Sequence, residues 1–263
     1  MNLGLNGKIA LVAAASRGLG RAVAEELAAE GCSLVLCARG AEALNETRDH
    51  IEATAGTAVI ALPADVGIAA DVARVVNAGL ERFGRIDVLV TNAGGPPAGP
   101  FESLSQDQWE AATRQTLYST LAFARLVLPG MKERRWGRIL NITSICVKQP
   151  ADNLVLSNSL RAAVTGFART LANEVATFGI TVNNILPGYT RTERVEDLAR
   201  MVSEKEGISA AEFIARWEAE IPMRRLGEPR EFAALAAFLV SERASYVTGT
   251  STQVDGGWIR SLL

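Results

Sequence analysis

The sequence predicts an α/β fold built as a single domain: a doubly wound, seven-stranded, mainly parallel sheet with helices on both faces. Three observations predict it. Seven short apolar runs recur along the chain, and most are nearly continuous in apolar residues, as strands buried on both faces require. Longer stretches rich in Ala, Leu, Glu and Arg separate them and suit helices. The first run turns into the first helical stretch through Gly18-Leu19-Gly20.

In chain order the predicted strands are 8–14, 33–38, 58–62, 86–91, 138–143, 180–186 and 250–254. The predicted helices are 19–30, 41–54, 69–83, 105–134, 158–178 and 229–240. No low-complexity linker divides the chain. Residues 188–226 break the alternation, as an insertion carrying Arg191, Arg194, Glu204, Lys205, Glu206, Phe213 and Trp217 and ending at Pro222. They are expected to form a helical flap over the carboxyl ends of the strands, where doubly wound sheets bind ligands.

Composition limits the chemistry. The 263 residues carry 27 basic and 29 acidic side chains, a net charge of −2, which argues against nucleic-acid binding. His50 is the one histidine, so no site can rest on two His ligands, and its place in the helix after the second strand suits a structural role. Cys32, Cys37 and Cys146 are odd in number and lack C-x-x-C spacing, so neither a zinc knuckle nor a disulfide framework is suggested. Reduced thiols fit a cytoplasmic protein. The N-terminal apolar run reads as a strand, not a signal peptide, and no stretch reaches the ~18 apolar residues of a spanning helix. The chain is therefore expected to be cytoplasmic, with no membrane partner.

The turn Ala14-Ala15-Ser16-Arg17-Gly18-Leu19-Gly20 lies between a strand and a helix. Two glycines let backbone approach a pyrophosphate, and the helix N-terminus offers unpaired N–H donors. An ordinary strand-to-helix turn is the competing explanation. The second strand ends at Arg39, where NAD-binding relatives of this architecture carry an acidic residue for the ribose hydroxyls. Arg39 and Arg17 together suit a 2′-phosphate, so NADP(H) is expected over NAD(H). Alternatively, both arginines merely solvate the surface.

With these motifs stand Ala64-Asp65-Val66, Asn92-Ala93-Gly94, Ile142-Thr143-Ser144, Pro187-Gly188, the segment 222–229 and Val254-Asp255-Gly256-Gly257. In this order, from Gly7 to Trp258, the chain resembles a short-chain dehydrogenase/reductase, nearest the 3-oxoacyl-acyl-carrier-protein reductase branch. The resemblance implies a Rossmann fold. It also implies cofactor contacts at Ser16, Arg17, Gly18, Leu19, Gly20, Arg39, Asp65, Val66, Asn92, Ala93, Gly94, Arg161, Pro187, Gly188, Thr190 and Thr192. Asp65 and Val66 would frame the adenine. Asn92 would hold the central strands and the ribose side. Gly188 and Thr192 would meet the nicotinamide and pyrophosphate.

The family's catalytic set of Asn, Ser, Tyr and Lys falls, by motif spacing, at Thr116, Ser144, Ser157 and Arg161. Only Ser144 keeps the usual residue. The usual Thr-Gly start of the glycine turn is Ala13-Ala14 here. A phenol of pKa about 10 can be drawn toward neutrality by a cation, whereas a serine hydroxyl is shorter and a far weaker acid. Arginine, with a pKa above about 12 and a planar fork, is a different partner from a lysine ammonium. Cofactor binding could survive these changes; the usual proton relay should not. Tyr189, Tyr118, Lys148 and Cys146 are the candidate surrogate acids, each with a plainer explanation in packing or solvation.

Three functions remain open on the sequence. One is an NADP(H)-dependent oxidoreductase acting on a carbonyl or alcohol with an altered relay. Another is a catalytically degenerate NADP(H)-binding protein or sensor. The last is a non-redox enzyme on the same scaffold. A small-molecule substrate is expected. The resemblance also implies a homodimer or homotetramer paired through the long helices 105–134 and 158–178. Lys132, Arg134, Arg135 and Arg138 could attract an acyl carrier protein, or could simply be a basic helix end.

Overall fold

The computed structural model describes residues 2–262, without the side chains of residues 194, 198, 201 and 204–206. Seven strands form one sheet: β1 (Ile9–Ala13), β2 (Ser33–Ala38), β3 (Val59–Pro63), β4 (Val88–Thr91), β5 (Gly137–Ile142), β6 (Ile180–Pro187) and β7 (Ser251–Val254). Their spatial order is β3-β2-β1-β4-β5-β6-β7. Every neighbouring pair is parallel, so the expected sheet is found, without an antiparallel member. The order reverses between β1 and β4, which opens a crevice at the carboxyl ends there.

Alternation along the strands explains the two cores. Ala10 and Val12 of β1 face one side, with Val23 and Leu27 of α1 (Gly18–Ala29), Leu44 and Ile51 of α2 (Ala41–Ala55) and Phe232 of the last long helix. Ile9, Leu11 and Ala13 face the other side. There they meet Val72, Val75 and Val76 of α3 (Ala69–Phe83) and Leu171 and Val175 of α6 (Val155–Val175). Both faces are thus apolar, which is why these strands read as continuous runs and not as alternating ones.

Helix ends follow local chemistry. Gly56 and Gly84 close α2 and α3 in the left-handed region, at φ of 66° and 75°. Ser105 and Gln108 form a capping box that starts α4 (Gln106–Thr113). The helix expected over 105–134 is found as one continuous helical run: α4, then a π-helical turn at Arg114–Tyr118, then α5 (Ser119–Arg134). Strand β4 starts two residues later than expected; just before it, the buried carboxylate of Asp87 accepts from the Ile9 amide at 2.9 Å. Its Oδ2 also lies 3.0 Å from Arg85 Nε.

The flap contains α7 (Glu193–Glu206) and α8 (Ala210–Glu220) and leads to α9 (Pro229–Leu239). A parallel bridge between Thr190 and Gly227 closes its base. Arg191, itself exposed, lies 3.5 Å from both Glu218 and Glu228 and ties the flap to the start of α9. Phe213 and Trp217 make ring contacts described below, while the side chains of Arg194, Glu204, Lys205 and Glu206 lie outside the described residues. Among the described residues, no helix is long and apolar enough to cross a membrane.

Candidate functional site

The phosphate turn is fixed by its neighbours before any ligand arrives. The Ala15 amide donates to the Cys37 carbonyl at 3.1 Å, and the Thr47 hydroxyl of α2 donates to the Ser16 carbonyl at 3.1 Å. A Cβ on Gly20 would collide with the Ala14 carbonyl oxygen, and would lie 3.0 Å from Asn92 Nδ2. Glycine is therefore required where α1 passes the turn, and Asn92 sits beneath it at the end of β4. Among the described residues, α1 has no acidic side chain in its first turn. Its N-terminus is left electropositive, which suits a phosphate.

Ala14 is strained. It holds a φ of 51°, a left-handed conformation that costs an L-residue roughly 1–2 kcal/mol. Ala14→Gly relieves this strain but gives the unfolded chain more freedom. We expect a net gain of about 0.5–1 kcal/mol, read as a melting point higher by about 2 °C. A lower melting point would show that the alanine methyl contributes packing the strain does not outweigh.

Beside the turn lies a cavity of about 290 Å³ lined by Ala14, Ser16, Arg17, Arg39, Asp65, Val66, Ala93 and Gly94, among others. Seven of the residues expected at a cofactor therefore share one wall. Gly40, Ala43 and Gln115 line it too and were not singled out in the sequence. Gly40 directly follows Arg39 and Ala43 lies four positions after it, in the first turn of α2. Gln115 comes from the π-helical turn, for which the sequence offers no cue. Asp65 is held at the rim: its carboxylate accepts from the Gly67 amide at 2.9 Å, and its own amide donates to Asp71 at 2.8 Å.

The remaining expected contacts lie elsewhere. The Leu19 side chain packs against the hydrophobic core, away from the cavity, because it lies on the buried face of α1. Pro187 ends β6 opposite Val254. Gly188 lies close to Asp255, where an added Cβ would come 2.8 Å from its Cα. Thr190 is buried at the flap base. Thr192 is the N-cap residue of α7, and its Cγ2 lies 3.6 Å from where a Cβ on Gly18 would stand.

The second group of residues gathers at the end of β5. Ser144 follows the strand, and its Oγ accepts from the Cys146 amide at 3.2 Å. Arg161 of α6 reaches back to the same strand end. Its Nη1 donates to the carbonyls of Ile142 at 3.0 Å and Thr143 at 2.7 Å, and its Nε donates to Ser157 Oγ at 3.2 Å. Spacing four apart on one helix places Ser157 and Arg161 on the same face. Thr116 lies on the π-helical turn, and its buried Oγ1 has no hydrogen-bond partner among the described residues. It lines a small cavity shared with Asn92, Thr143 and Arg161.

The candidate surrogates are differently engaged. Lys148 Nζ donates to Gln253 at 2.7 Å and so ties the loop to β7. Tyr118 is exposed on the π-helical turn. Tyr189 stacks on Trp217 at 4.8 Å and meets Trp258 edge-on at 5.8 Å, while Phe213 meets Trp217 at 4.6 Å. Burial, with the charges of Glu220 and Cys146, pushes the Tyr189 phenol above its usual range, which makes it a poorer acid. Cys146 is buried and free. Burial pushes the thiols of Cys32 and Cys37 up to about 12, so neither is a ready nucleophile. His50 is half-exposed on α2, 3.8 Å from Glu25.

The basic cluster is also engaged internally. Arg134 donates to the Ile86 carbonyl and Arg135 to the Thr177 carbonyl, both at 2.8 Å. Arg138 is buried and Lys132 lies over the Phe178 ring. These contacts favour a structural role for all four side chains.

Known proteins are similar to this chain over nearly its whole length. The family model described as enoyl-(acyl carrier protein) reductase matches residues 13–259. Oxidoreductase UcpA of Escherichia coli K12 is 37% identical over 254 residues, covering 96% of this chain and 95% of its own. The 3-oxoacyl-[acyl-carrier-protein] reductase FabG of Vibrio cholerae is 31% identical, covering 97% and 98%. L-sorbose reductase from Gluconobacter frateurii, solved with NADPH and L-sorbose, superposes with a TM-score of 0.96 at 32% identity, covering all of both chains. Sheet order, glycine turn and whole-length similarity agree: this chain belongs to the short-chain dehydrogenase/reductase family of oxidoreductases and is FabG-like in sequence.

Proposed function

We propose that this protein is a cytoplasmic NADP(H)-dependent oxidoreductase that interconverts a carbonyl and an alcohol without the family's tyrosine–lysine relay. The observation that carries the reading is the Ser157–Arg161 pair docked on the strand end that presents Ser144. The 290 Å³ cavity supports the cofactor half: Arg17 and Arg39 suit a 2′-phosphate, and the glycine turn and α1 N-terminus suit the pyrophosphate. The L-sorbose reductase neighbour is complexed with NADPH. NADP(H), when bound, supplies or accepts the hydride.

The chain's own groups then act electrostatically. Ser144 Oγ accepts one hydrogen bond from the Cys146 amide, which leaves its O–H to donate to a substrate oxygen. Ser157 Oγ accepts from Arg161, which leaves its O–H to donate as well. Arg161 holds a permanent positive charge behind Ser157 and makes it a stronger donor. Where both hydroxyls donate to one developing alkoxide, they stabilise it in the manner of an oxyanion hole. Neither serine releases its own proton. In the reducing direction the alkoxide takes its proton from water.

The decisive experiment mixes pure protein with NADPH and a panel of 3-oxoacyl thioesters, ketones and quinones, following absorbance loss at the nicotinamide band. Turnover on at least one class is expected, and Ser144→Ala lowers its kcat about 10²-fold with NADPH affinity unchanged. No turnover above a blank across the panel overturns the reading.

A second reading is a nucleotide-binding protein without turnover. It is favoured by the Arg161 fork lying against two backbone carbonyls, away from the role a family lysine has. Tight nucleotide binding by calorimetry, no turnover, and activity gained in Ser157→Tyr/Arg161→Lys would select it. Association into dimers or tetramers through the long helices belongs to either reading, and exposed Tyr118 and Leu126 lie at that surface.

A further inference from the structure

We propose that Glu193 sets the preference between NADP(H) and NAD(H) by competing with the 2′-phosphate for Arg17. The proposal rests on the NADP(H) reading above. Arg17 lines the nucleotide cavity together with Ser16 and Arg39. Its Nη1 also lies 2.9 Å from Glu193 Oε2, in a hydrogen-bonded ion pair that joins the phosphate turn to the first residue of α7. Thr192, the N-cap residue of that helix, lies close enough to Gly18 for an added Cβ there to touch its side chain at 3.6 Å. The start of the flap therefore rests on the turn that would hold the cofactor phosphates.

One guanidinium faces two anions. A phosphomonoester carries close to two negative charges near neutral pH, against one for the carboxylate. If Arg17 turns its fork to the phosphate, the Glu193 pair is lost. If Arg17 keeps both, its donors are shared and the phosphate is held less tightly. NAD(H) has a neutral hydroxyl at this position and leaves the pair intact. Glu193 thus weakens NADP(H) binding selectively, and Arg17 must be present for it to do so. Both side chains are about two-thirds exposed, at 65% and 61%, so solvent limits the coupling to about three- to fivefold in affinity.

The test is a double-mutant cycle by calorimetry. Wild type, Glu193→Gln, Arg17→Gln and the double variant are titrated with NADP⁺ and with NAD⁺ at one ionic strength. Glu193→Gln is expected to bind NADP⁺ about three- to fivefold more tightly, with NAD⁺ affinity unchanged within twofold. Arg17→Gln is expected to lose about tenfold for NADP⁺ alone, and adding Glu193→Gln to it changes nothing further. Equal effects on both nucleotides, no effect of Glu193→Gln, or an effect that persists without Arg17 each overturn the role of Glu193. Failure of the wild type to bind NADP⁺ overturns the NADP(H) reading and this proposal with it, and is distinct from tight binding that Glu193→Gln leaves unaltered.

Discussion

Arg161→Lys, which installs the residue that the family resemblance implies at this position, is expected to damage this protein. The guanidinium serves three acceptors at once: the carbonyls of Ile142 and Thr143 through Nη1, and Ser157 Oγ through Nε. A planar fork can do this because its donors point in fixed, divergent directions. An ammonium is a compact point charge on a flexible stem and cannot span that set. We expect Arg161→Lys to lower kcat about 10²-fold and Arg161→Ala about 10³-fold, because Ser157 loses the cation behind it and the presentation of Ser144 loosens. Removing the donor from two partly buried carbonyls costs about 2–3 kcal/mol in Arg161→Ala. Steady-state kinetics with a substrate found in the panel, and urea unfolding, check the two parts separately. NADP⁺ affinity is expected to change less than fivefold, since the cavity of Arg17 and Arg39 does not include Arg161. A lysine variant more active than wild type would show that the ordinary relay is latent here and that the clamp is incidental.

The same residue shows what the sequence could and could not disclose. Motif spacing placed Arg161 four residues after Ser157, and helix geometry made them neighbours. Spacing could not say that the guanidinium turns back onto β5, since Ile142 lies 19 positions away and meets it only through the packing of α6 on the sheet. Strand and helix positions are readable because the central strands β1, β4 and β5 are buried on both faces and most helices begin or end at a cap or a glycine. The π-helical turn at Arg114–Tyr118 is not readable in the sequence. That segment has no glycine or proline, and it lies where the helix packs against α6, so tertiary contact and not local propensity decides its winding. Pro129 inside α5 shows the converse: a residue that breaks most helices sits within a continuous one. The Arg17–Glu193 pair was hidden for the simplest reason, a separation of 176 positions.

Gly20→Ala is expected to abolish nucleotide binding, with an affinity loss greater than about 10³-fold. Two glycines flank Leu19, and they act for different reasons. Gly18 has a φ of 56°, a conformation that glycine adopts without strain. Ala14, on the same turn, tolerates a similar conformation at modest cost, so an alanine at Gly18 should be damaging but survivable. Gly20 has no such latitude, because its problem is space. An added Cβ would overlap the Ala14 carbonyl oxygen and come 2.9 Å from the carbonyl carbon. Neither atom is the movable end of a side chain, so α1 would have to shift away from β1. That shift would carry off the N–H donors proposed to hold the pyrophosphate, and would disturb Asn92, whose Nδ2 is 3.0 Å from the same point. Because α1 also packs on α9, the displacement should lower stability by about 2–3 kcal/mol, in the range of other overpacked sites. Calorimetric titration with NADP⁺ and a melting curve measure the two losses independently. Retained affinity would mean that the phosphates are held by side chains such as Arg17 and Arg39 and not by the backbone of the turn.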